Sequence, residues 1–551
     1  MTLMKSKNIL KLPHLGWMDD CLSVGVAMRN RRILNDGVHP STAIVGAVEA
    51  IASTSHVRNA MLDRISDRMI LPGTPMLLAH KSDRSGKPVS SCTVISGSSK
   101  RKMLSQIYRL DNAQGIGIDL SLSDDPVDDY HFLNEILCSI DETSSRPTAG
   151  MASLDWDHPK AEQFIVAKRG SNLDPRTNKF NISMWMDSNK TQNLMGCPKF
   201  SLLCEQMLHN GSPGILFRDR YEESNPLPHQ PYVSTPPCAE MAMSDDGDGC
   251  HFVTINLAAH LMKNGSGYHL DTDALRRSAE IATRFADDAV EFSLSSAWTK
   301  GVYNKRRIGV GICGVADFLT KMKLAYAESA ARSAVEDAYA IVNIATKIES
   351  VKLASERGQF PSYPQSRFAR ESSGWPLNPS AYNRSSLSAD WKVYTDALIK
   401  YGIRNASTTS AAPTGGIARF LLTSQSLEPR FNWLDPADPS RLHPTLQNTL
   451  QQYYIDHEQI SKKVISAGGV LGDICDINIE HKKLFPTGPE LSIYAHILMV
   501  AAAQRHLDDA VSKTVNMAPG ANKTDVERVI MLASENRLKG ITVFPSDWVS
   551  K

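Results

Sequence analysis

Ser234-Thr235-Pro236-Pro237-Cys238-Ala239-Glu240 places a thiol two residues from a carboxylate. In an extended segment both side chains then lie on one face. Pro236 and Pro237 exclude a helix interior and a central strand. The stretch reads as a rigid loop that presents a cysteine and a carboxylate together. Taken alone, a loop with a buried Cys and a solvated Glu is the better reading, because Cys is among the most buried residue types. The surrounding chain decides the matter.

Twelve residues beyond Cys238 comes Cys250-His251-Phe252-Val253-Thr254-Ile255-Asn256-Leu257, and far upstream sits Ser90-Ser91-Cys92. In these three contexts the chain resembles the catalytic subunit of the ribonucleotide reductases. Residues 234–240 are similar to that family's finger loop, usually Asn-Pro-Cys-Gly-Glu, and the other two to its second and first cysteine segments. Leu71-Pro72-Gly73-Thr74-Pro75-Met76-Leu77, a Pro/Gly turn, resembles the segment that brings a Thr to the substrate, here Thr74, with Ser91 beside the first cysteine. Ala412-Pro413-Thr414-Gly415-Gly416-Ile417-Ala418 has small residues leading into a helix, where free backbone N–H groups suit an anion. It resembles the family segment that holds the substrate phosphates, which implies substrate contacts for Pro413, Thr414, Gly415, Gly416 and Ile417.

The resemblance implies both fold and chemistry. The fold is an α/β barrel of ten strands, two parallel halves of five, with the finger loop at the centre. A short helical region (residues 1–70) precedes the catalytic barrel (71–551). Hydroxide leaves an unactivated ribose carbon poorly, and a radical at C3′ makes its departure feasible. A thiyl radical on Cys238 would take the 3′ hydrogen, and Glu240 would accept the 3′-OH proton as general base. Cys92 and Cys250 would protonate the leaving group and supply two electrons, ending as a disulfide. The radical source lies outside the chain. Leu538-Lys539-Gly540-Ile541-Thr542-Val543-Phe544 resembles the ending of cobalamin-dependent (class II) reductases and lacks the tyrosine pair of class I enzymes. Adenosylcobalamin is therefore the expected cofactor. Tyr453-Tyr454 lies upstream in an expected helix and reads as packing.

Composition sets outer bounds. The 551 residues suffice for a large core, and 60 Lys+Arg against 59 Asp+Glu give a net charge of +1. That balance offers no reason to expect a nucleic-acid polymer or a membrane surface as partner. Nine cysteines without regular spacing, and no Cys-x-x-Cys, look like neither a disulfide framework nor a zinc site. Residues 1–16 lack an apolar core, and the apolar run 497–503 is too short to span a bilayer. A soluble cytoplasmic protein with reduced thiols is expected, with no bound metal ion.

Elsewhere, residues 17–72 read as mostly helical, and strands are expected around 89–96, 114–121, 180–184 and 213–217. The polar loop 170–177 resembles the family loop that relays effector identity, and 124–147 is brief where the family binds its effector. Asp245-Asp246-Gly247-Asp248-Gly249 lacks the Glu that closes an EF-hand and reads as a solvated turn. Gly309-Val310-Gly311-Ile312-Cys313-Gly314 matches Gly-x-Gly-x-x-Gly, but no βαβ unit follows, and it resembles a family Gly-rich turn rather than an NAD site. Helices are expected at 275–298 and 326–357, the latter closed by Gly358. Residues 371–391 read as an irregular loop. An apolar helix is expected at 491–510, running on into 511–514. Another begins at a Thr524–Glu527 capping box and is ended by Gly540.

Three departures from the family pattern stand out. Pro236 replaces the family Asn and cannot donate a hydrogen bond; Ala239 replaces Gly, a milder change; and the pair of C-terminal shuttle cysteines is missing. Ribonucleoside di- or triphosphate substrates, a thioredoxin-like or small-thiol reductant and a homodimer are the implied partners. A nucleotide effector and a radical-generating subunit stay open. So do two other readings, a class I-like catalytic subunit and a non-catalytic nucleotide-binding relative.

Overall fold

The computed structural model describes residues 15–545 apart from 36, 83–86, 109–113, 145, 170–177, 266, 295–299, 371–386 and 436–437. The expected effector-relay loop and most of the 371–391 loop lie outside the described residues. Five strands, β2 (Cys92–Ile95), β3 (Gly115–Asp119), β4 (Gly150–Asp155), β5 (Phe180–Met186) and β6 (Gly214–Phe217), pair in parallel in chain order. They are buried along nearly their whole length, as strands covered on both faces must be. β1 (Ile70–Pro72) lies outside this set and pairs antiparallel with β7 (His251–Asn256).

A second set of five runs through β7, β10 (Ile308–Cys313), residues 407–411, residues 510–517 with β11 (Thr514–Met517), and β12 (Gly540–Pro545). β7 and β10 form a parallel ladder, as do β11 and β12. Between them the ladder thins to single parallel bridges, Val310 to Thr409 and Ala411 to Val511. One seam between the halves is the antiparallel pairing of β12 with β6. At the other, Ser91 N donates to Cys250 O (2.9 Å) and Thr93 Oγ1 to Asp248 O (2.7 Å). The arrangement follows the two parallel sets of five expected, with residues 407–411 standing in for one strand through single bridges only. A small hairpin, β8 (Leu261–Asn264) with β9 (Gly267–Leu270), sits apart.

Several elements differ from the sequence expectation. The Gly309–Gly314 segment is not a turn: it is β10 itself, and its glycines clear space for neighbours. A Cβ on Gly311 would lie 2.5 Å from Ser410 O, and one on Gly309 2.4 Å from the Phe252 ring. The helix expected over 491–514 stops at Gln504 (Ile493–Gln504), and the chain turns to enter the barrel as a strand. The reason is Asp508 and Asp509, both buried and ion-paired to Lys347 and Arg307. The capping box falls two residues earlier, at Asn522 with Asp525, and that helix ends at Glu535; Gly540 opens β12 instead. Gly358 does close the long helix Ser329–Arg357, with φ +84°. The acidic turn at 245–249 is not solvated: Asp248 is buried between Lys305 and Arg307, each 3.2 Å away.

The N-terminal helices are integral to the site. Leu22–Asn30 packs on Gly415–Phe420, and Pro40–Ile51 packs on the turn that follows Thr74–Leu77. Residues 433–485 carry a second, smaller core around Trp433, Leu450 and Phe485. Tyr454 packs against it, with its Oη bonded to His481 Nδ1 (2.8 Å), whereas Tyr453, expected to pack as well, is half exposed. Among the described residues no helix is long and apolar enough to cross a membrane.

β3 owes its glycines to the loop it faces. A Cβ on Gly117 would stand 2.2 Å from Thr235 O, and one on Gly115 3.0 Å from both Cys92 Sγ and Pro237. Backbone cannot retreat as a side chain can. Gly117→Ala is therefore expected to cost about 2–3 kcal/mol through overpacking, read as a lowered urea midpoint, with the loop and any activity displaced along with it. An unchanged midpoint would contradict this close approach.

Candidate active site

The finger loop is a narrow hairpin inside the barrel, closed by the bridge between Ser234 and Met243. Both halves of the barrel grip it. From the first half, Ser153 Oγ bonds Ser234 Oγ (2.9 Å), Asn181 Nδ2 donates to Pro237 O (2.8 Å) and Tyr221 Oη to Ala239 O (2.6 Å). From the second, Ala510 N and Ser410 Oγ both donate to Glu240 O (2.8 Å each), and Arg307 Nη1 donates to Ala242 O (2.6 Å). The carbonyls of 237, 239, 240 and 242 are thus satisfied, as buried backbone requires. Ala239 has φ +58°. This left-handed conformation favours glycine and costs an alanine roughly 1–2 kcal/mol, so the replacement of the family Gly is a strain at the loop tip rather than a mild change.

Cys92, Cys250 and Glu240 are buried, while Cys238 is open to a cavity. Cys92 and Cys250 share one packed cluster with Met241, Met243 and Phe252. Burial, then the nearby Glu240, pushes the Cys92 thiol up to about 12. The surrounding barrel, with Glu240 and Cys92, holds Cys238 well above an ordinary thiol although its side chain opens on the cavity, and burial with Asp509 does so for Cys250. Neutral thiols are weak nucleophiles; they suit hydrogen-atom transfer and proton donation. All nine cysteines are free. Glu240 is raised to about 7, chiefly by burial. Its Oε2 is buried with no hydrogen-bond partner among the described residues. An orphaned carboxylate oxygen of this kind is expensive unless something binds it.

The other expected residues surround this core. Gly73, which precedes Thr74, packs on Ser91: a Cβ there would lie 3.4 Å from Ser91 Oγ. Pro413 lines the cavity with Cys238. Thr414 has φ +55°, and its Oγ1 accepts from Ser426 N (2.9 Å). Gly415, Gly416 and Ile417 open the short helix Gly415–Phe420.

Two groups escaped the sequence reading. Arg146 reaches the site from the loop before β4: Nη1 donates to Ser91 O (3.2 Å), and its charge acts on Cys92, Cys238 and Glu240. Asp509 and Arg307 form the buried floor beneath Cys250 and Glu240. Arg146 has no motif around it; the Asp508-Asp509 pair within an apolar stretch was the one available signal for the floor.

The cavity beside Cys238 measures about 500 Å³ and runs between residues 511–514 and β12, within the range of small-molecule sites. Ser512, Thr514 and Thr542 line it with Ile541 and Val543, and Asn178 Oδ1 stands buried there with no hydrogen-bond partner among the described residues. Among the described residues, no three His, Cys, Asp or Glu side chains are arranged to hold a metal ion.

A loop cysteine and carboxylate thus sit inside a two-by-five parallel barrel, with two further thiols packed beside them. The chain belongs to the ribonucleotide reductase family: the family's barrel-domain model matches residues 199–544. It is similar to the vitamin B12-dependent ribonucleoside-diphosphate reductase of Thermoplasma acidophilum, 28% identical over 435 residues, covering 74% of this chain and 52% of that one. The enzyme of the same description from Mycobacterium tuberculosis is 29% identical over 428 residues, covering 72% and 56%. The chain thus spans about half the length of these curated relatives. In fold it is similar to the class Id ribonucleotide reductase alpha subunit of Actinobacillus ureae, with a TM-score of 0.75 at 18% identity, covering 95% of this chain and 96% of the other.

Proposed function

We propose that the chain reduces ribonucleotides to 2′-deoxyribonucleotides for DNA precursor synthesis. The observation that carries this reading is the orphaned, buried Glu240 Oε2 beside the Cys238 thiol. A ribose 3′-hydroxyl is the partner that this oxygen lacks. A thiyl at Cys238 takes the hydrogen atom from C3′, and Glu240 accepts the 3′-OH proton. The 2′-hydroxyl departs as water with a proton from the Cys92–Cys250 pair. That pair gives its second hydrogen to C2′ and its remaining electron to the C3′ ketone and closes as a disulfide, Glu240 returns its proton to the 3′ oxygen, and Cys238 returns its hydrogen atom to C3′. Thr74 and Ser91 hold the ribose, residues 413–417 hold the phosphates, and Arg146 fills the donor role vacant at Pro236.

Adenosylcobalamin, when bound, supplies the one-electron chemistry that removes the Cys238 hydrogen atom. Its adenosyl end suits the cavity on the Cys238 side, whose hydroxyl groups and unpaired Asn178 acceptor offer nucleoside partners. The B12 dependence named for the similar enzymes supports the same choice. A thioredoxin-like or small thiol re-reduces the disulfide. We place the protein in the cytoplasm as a homodimer, with a nucleotide effector as a further ligand.

The test is anaerobic turnover of ribonucleotides with dithiothreitol and adenosylcobalamin. Cobalamin-dependent deoxyribonucleotide is expected. Product that instead demands a second subunit would reject the cofactor, and none under either condition would overturn the reaction. The pH profile follows from Glu240. A general base must be ionised, and this carboxyl is raised to about 7. Turnover should therefore be half-maximal near pH 7 and fall about tenfold per unit below pH 6. Glu240→Gln should remove that limb along with most of the activity. A flat profile from pH 5 to 8 would contradict the assignment.

A further inference from the structure

Of the two thiols that flank the finger loop, Cys92 is the one that faces a cation not already spent on a carboxylate. That cation is Arg146, which enters the site from a loop held in place by other groups. Arg32 Nη1 donates to the carbonyls of Asp141 (2.6 Å) and Ser144 (2.8 Å). Thr148 N and Oγ1 both donate to Asp141 Oδ1 (2.6 and 2.8 Å), and Lys179 pairs with Asp141 Oδ2 (3.1 Å). Arg146 itself is half-buried and makes no ion pair among the described residues. Its Nη1 donates to Ser91 O (3.2 Å), one residue before Cys92, and its guanidinium is within hydrogen-bonding reach of the Cys92 sulfur.

Holding the backbone does not explain this placement. Ser91 O already accepts from Gly115 N (3.0 Å), and Ser91 N donates to Cys250 O (2.9 Å), so the start of β2 is fixed from both neighbours. The sulfur is confined as well: a Cβ on Gly115 would lie 3.0 Å from Cys92 Sγ. The charged groups that face it are Glu240, from the finger loop, and Arg146; β3 offers the Gly115 N–H, and β7 the neutral Cys250 thiol. Burial and Glu240 push the Cys92 thiol up to about 12, and Arg146 leads the groups that pull it back. Cys250 stands differently. After burial, Asp509 acts on it most, and the opposing cation, Arg307, is paired with Asp248 (3.2 Å) and Asp509. A negative charge therefore costs less on the Cys92 sulfur than on that of Cys250.

We propose that Arg146 is a positioning residue that acts through Cys92: its guanidinium holds the negative charge left on that sulfur when the thiol gives up its proton, and so makes Cys92, rather than Cys250, the acid of the pair. The step balances within the site. The Cys92 S–H bond breaks and its proton joins the departing 2′ oxygen, which leaves as water with the C2′–O electron pair. The S–H pair stays on sulfur as a thiolate beside the guanidinium, and Cys250 is left to give the hydrogen atom to C2′. This rests on the reductase reading and deepens it, because the two roles given there to the pair are divided by one unpaired cation.

The experiment is the rate of iodoacetamide alkylation at each cysteine of the freshly reduced full chain, followed peptide by peptide by mass spectrometry at about pH 9. Below its pKa a thiol reacts in proportion to its thiolate fraction, so one unit of pKa is about tenfold in rate. Arg146→Met should slow alkylation of Cys92 by about tenfold or more, while the exposed Cys475 stays within about twofold of the parent. Arg146→Lys keeps the charge and should recover most of the rate. The direction of the change separates this from a merely structural part. A barrel loosened by loss of the Ser91 contact would expose Cys92 and Cys250 and speed both. A Cys92 rate unchanged in Arg146→Met, or raised together with that of Cys250, or equally slow in the Lys and Met variants, would overturn the proposal. The two readings fail separately. Slowed alkylation of Cys92 in a chain that forms no deoxynucleotide would sink the reductase and keep the hold of Arg146 on the sulfur. An active reductase whose Cys92 rate ignores Arg146 would do the reverse.

Discussion

Cys238→Ser is expected to abolish turnover, by roughly 10⁴-fold or more, while leaving nucleotide binding within about twofold. The size follows from the chemistry. A serine O–H bond is much stronger than a thiol S–H bond, so the alkoxyl form cannot be generated by the same one-electron step. The hydroxyl is otherwise nearly isosteric, and the loop that presents it is fixed by backbone contacts at 237, 239, 240 and 242 that do not involve the side chain. Binding and stability should therefore survive. Stopped-flow or discontinuous product assays give the rate, and calorimetry with the nucleotide gives the affinity. Measurable turnover above a hundredth of the parent would remove Cys238 as the hydrogen-atom abstractor. Cys92→Ser and Cys250→Ser should behave differently. Each retains the thiol on Cys238 and loses only the reducing pair, so not even one deoxynucleotide forms although hydrogen-atom exchange at C3′ continues.

The finger loop was legible because its chemistry is compressed into seven residues and because prolines exclude the competing secondary structures. The strand holding Gly117 was legible while that holding Gly311 read as a turn, and the structure gives each glycine a close neighbour: Thr235 O for Gly117, Ser410 O for Gly311. Residues 407–411 gave no strand signal. Ser407-Thr408-Thr409-Ser410 is polar throughout, and it is buried because the barrel and the Asp508 carboxylate satisfy it, not because it is apolar. The helix that stops at Gln504 was misjudged for the opposite reason. Its apolar composition continues past the point where two buried aspartates take over, and only their distant partners, Lys347 and Arg307, explain why the chain turns. Arg146 comes from an irregular stretch of chain before β4. No local pattern marks a residue whose role depends on which remote wall it faces.

Arg307→Met should be the most destabilising single change in the site, at about 3–5 kcal/mol. That is a large part of the margin of an ordinary domain, about 5–15 kcal/mol. Arg307 is 1% exposed and bonds through all three side-chain nitrogens: Nη1 to Ala242 O (2.6 Å) and Asp248 Oδ2 (3.2 Å), Nε to Ser407 Oγ (3.2 Å), and Nη2 to Asp509. Burial alone would push the Asp248 carboxyl up, but Lys305 and Arg307 more than offset it and hold it below the usual range. Asp509 already stands above its ordinary value from burial, with Arg307 first among the groups that oppose this. Methionine fills much the same volume and removes the charge from between two buried carboxylates. Asp248 keeps Lys305, while Asp509 loses its guanidinium partner and must take up a proton or admit water. Arg307→Lys keeps the charge but not the fork, so it should recover only part of the loss. The urea midpoints of the three proteins should fall in the order parent, Lys, Met. Because Arg307 also holds Ala242 O, and Ala510 beside Asp509 holds Glu240 O, activity should decline before global unfolding as the carboxylate drifts from Cys238. A methionine variant as stable as the parent would mean that the buried ion network beneath the finger loop contributes nothing to holding it.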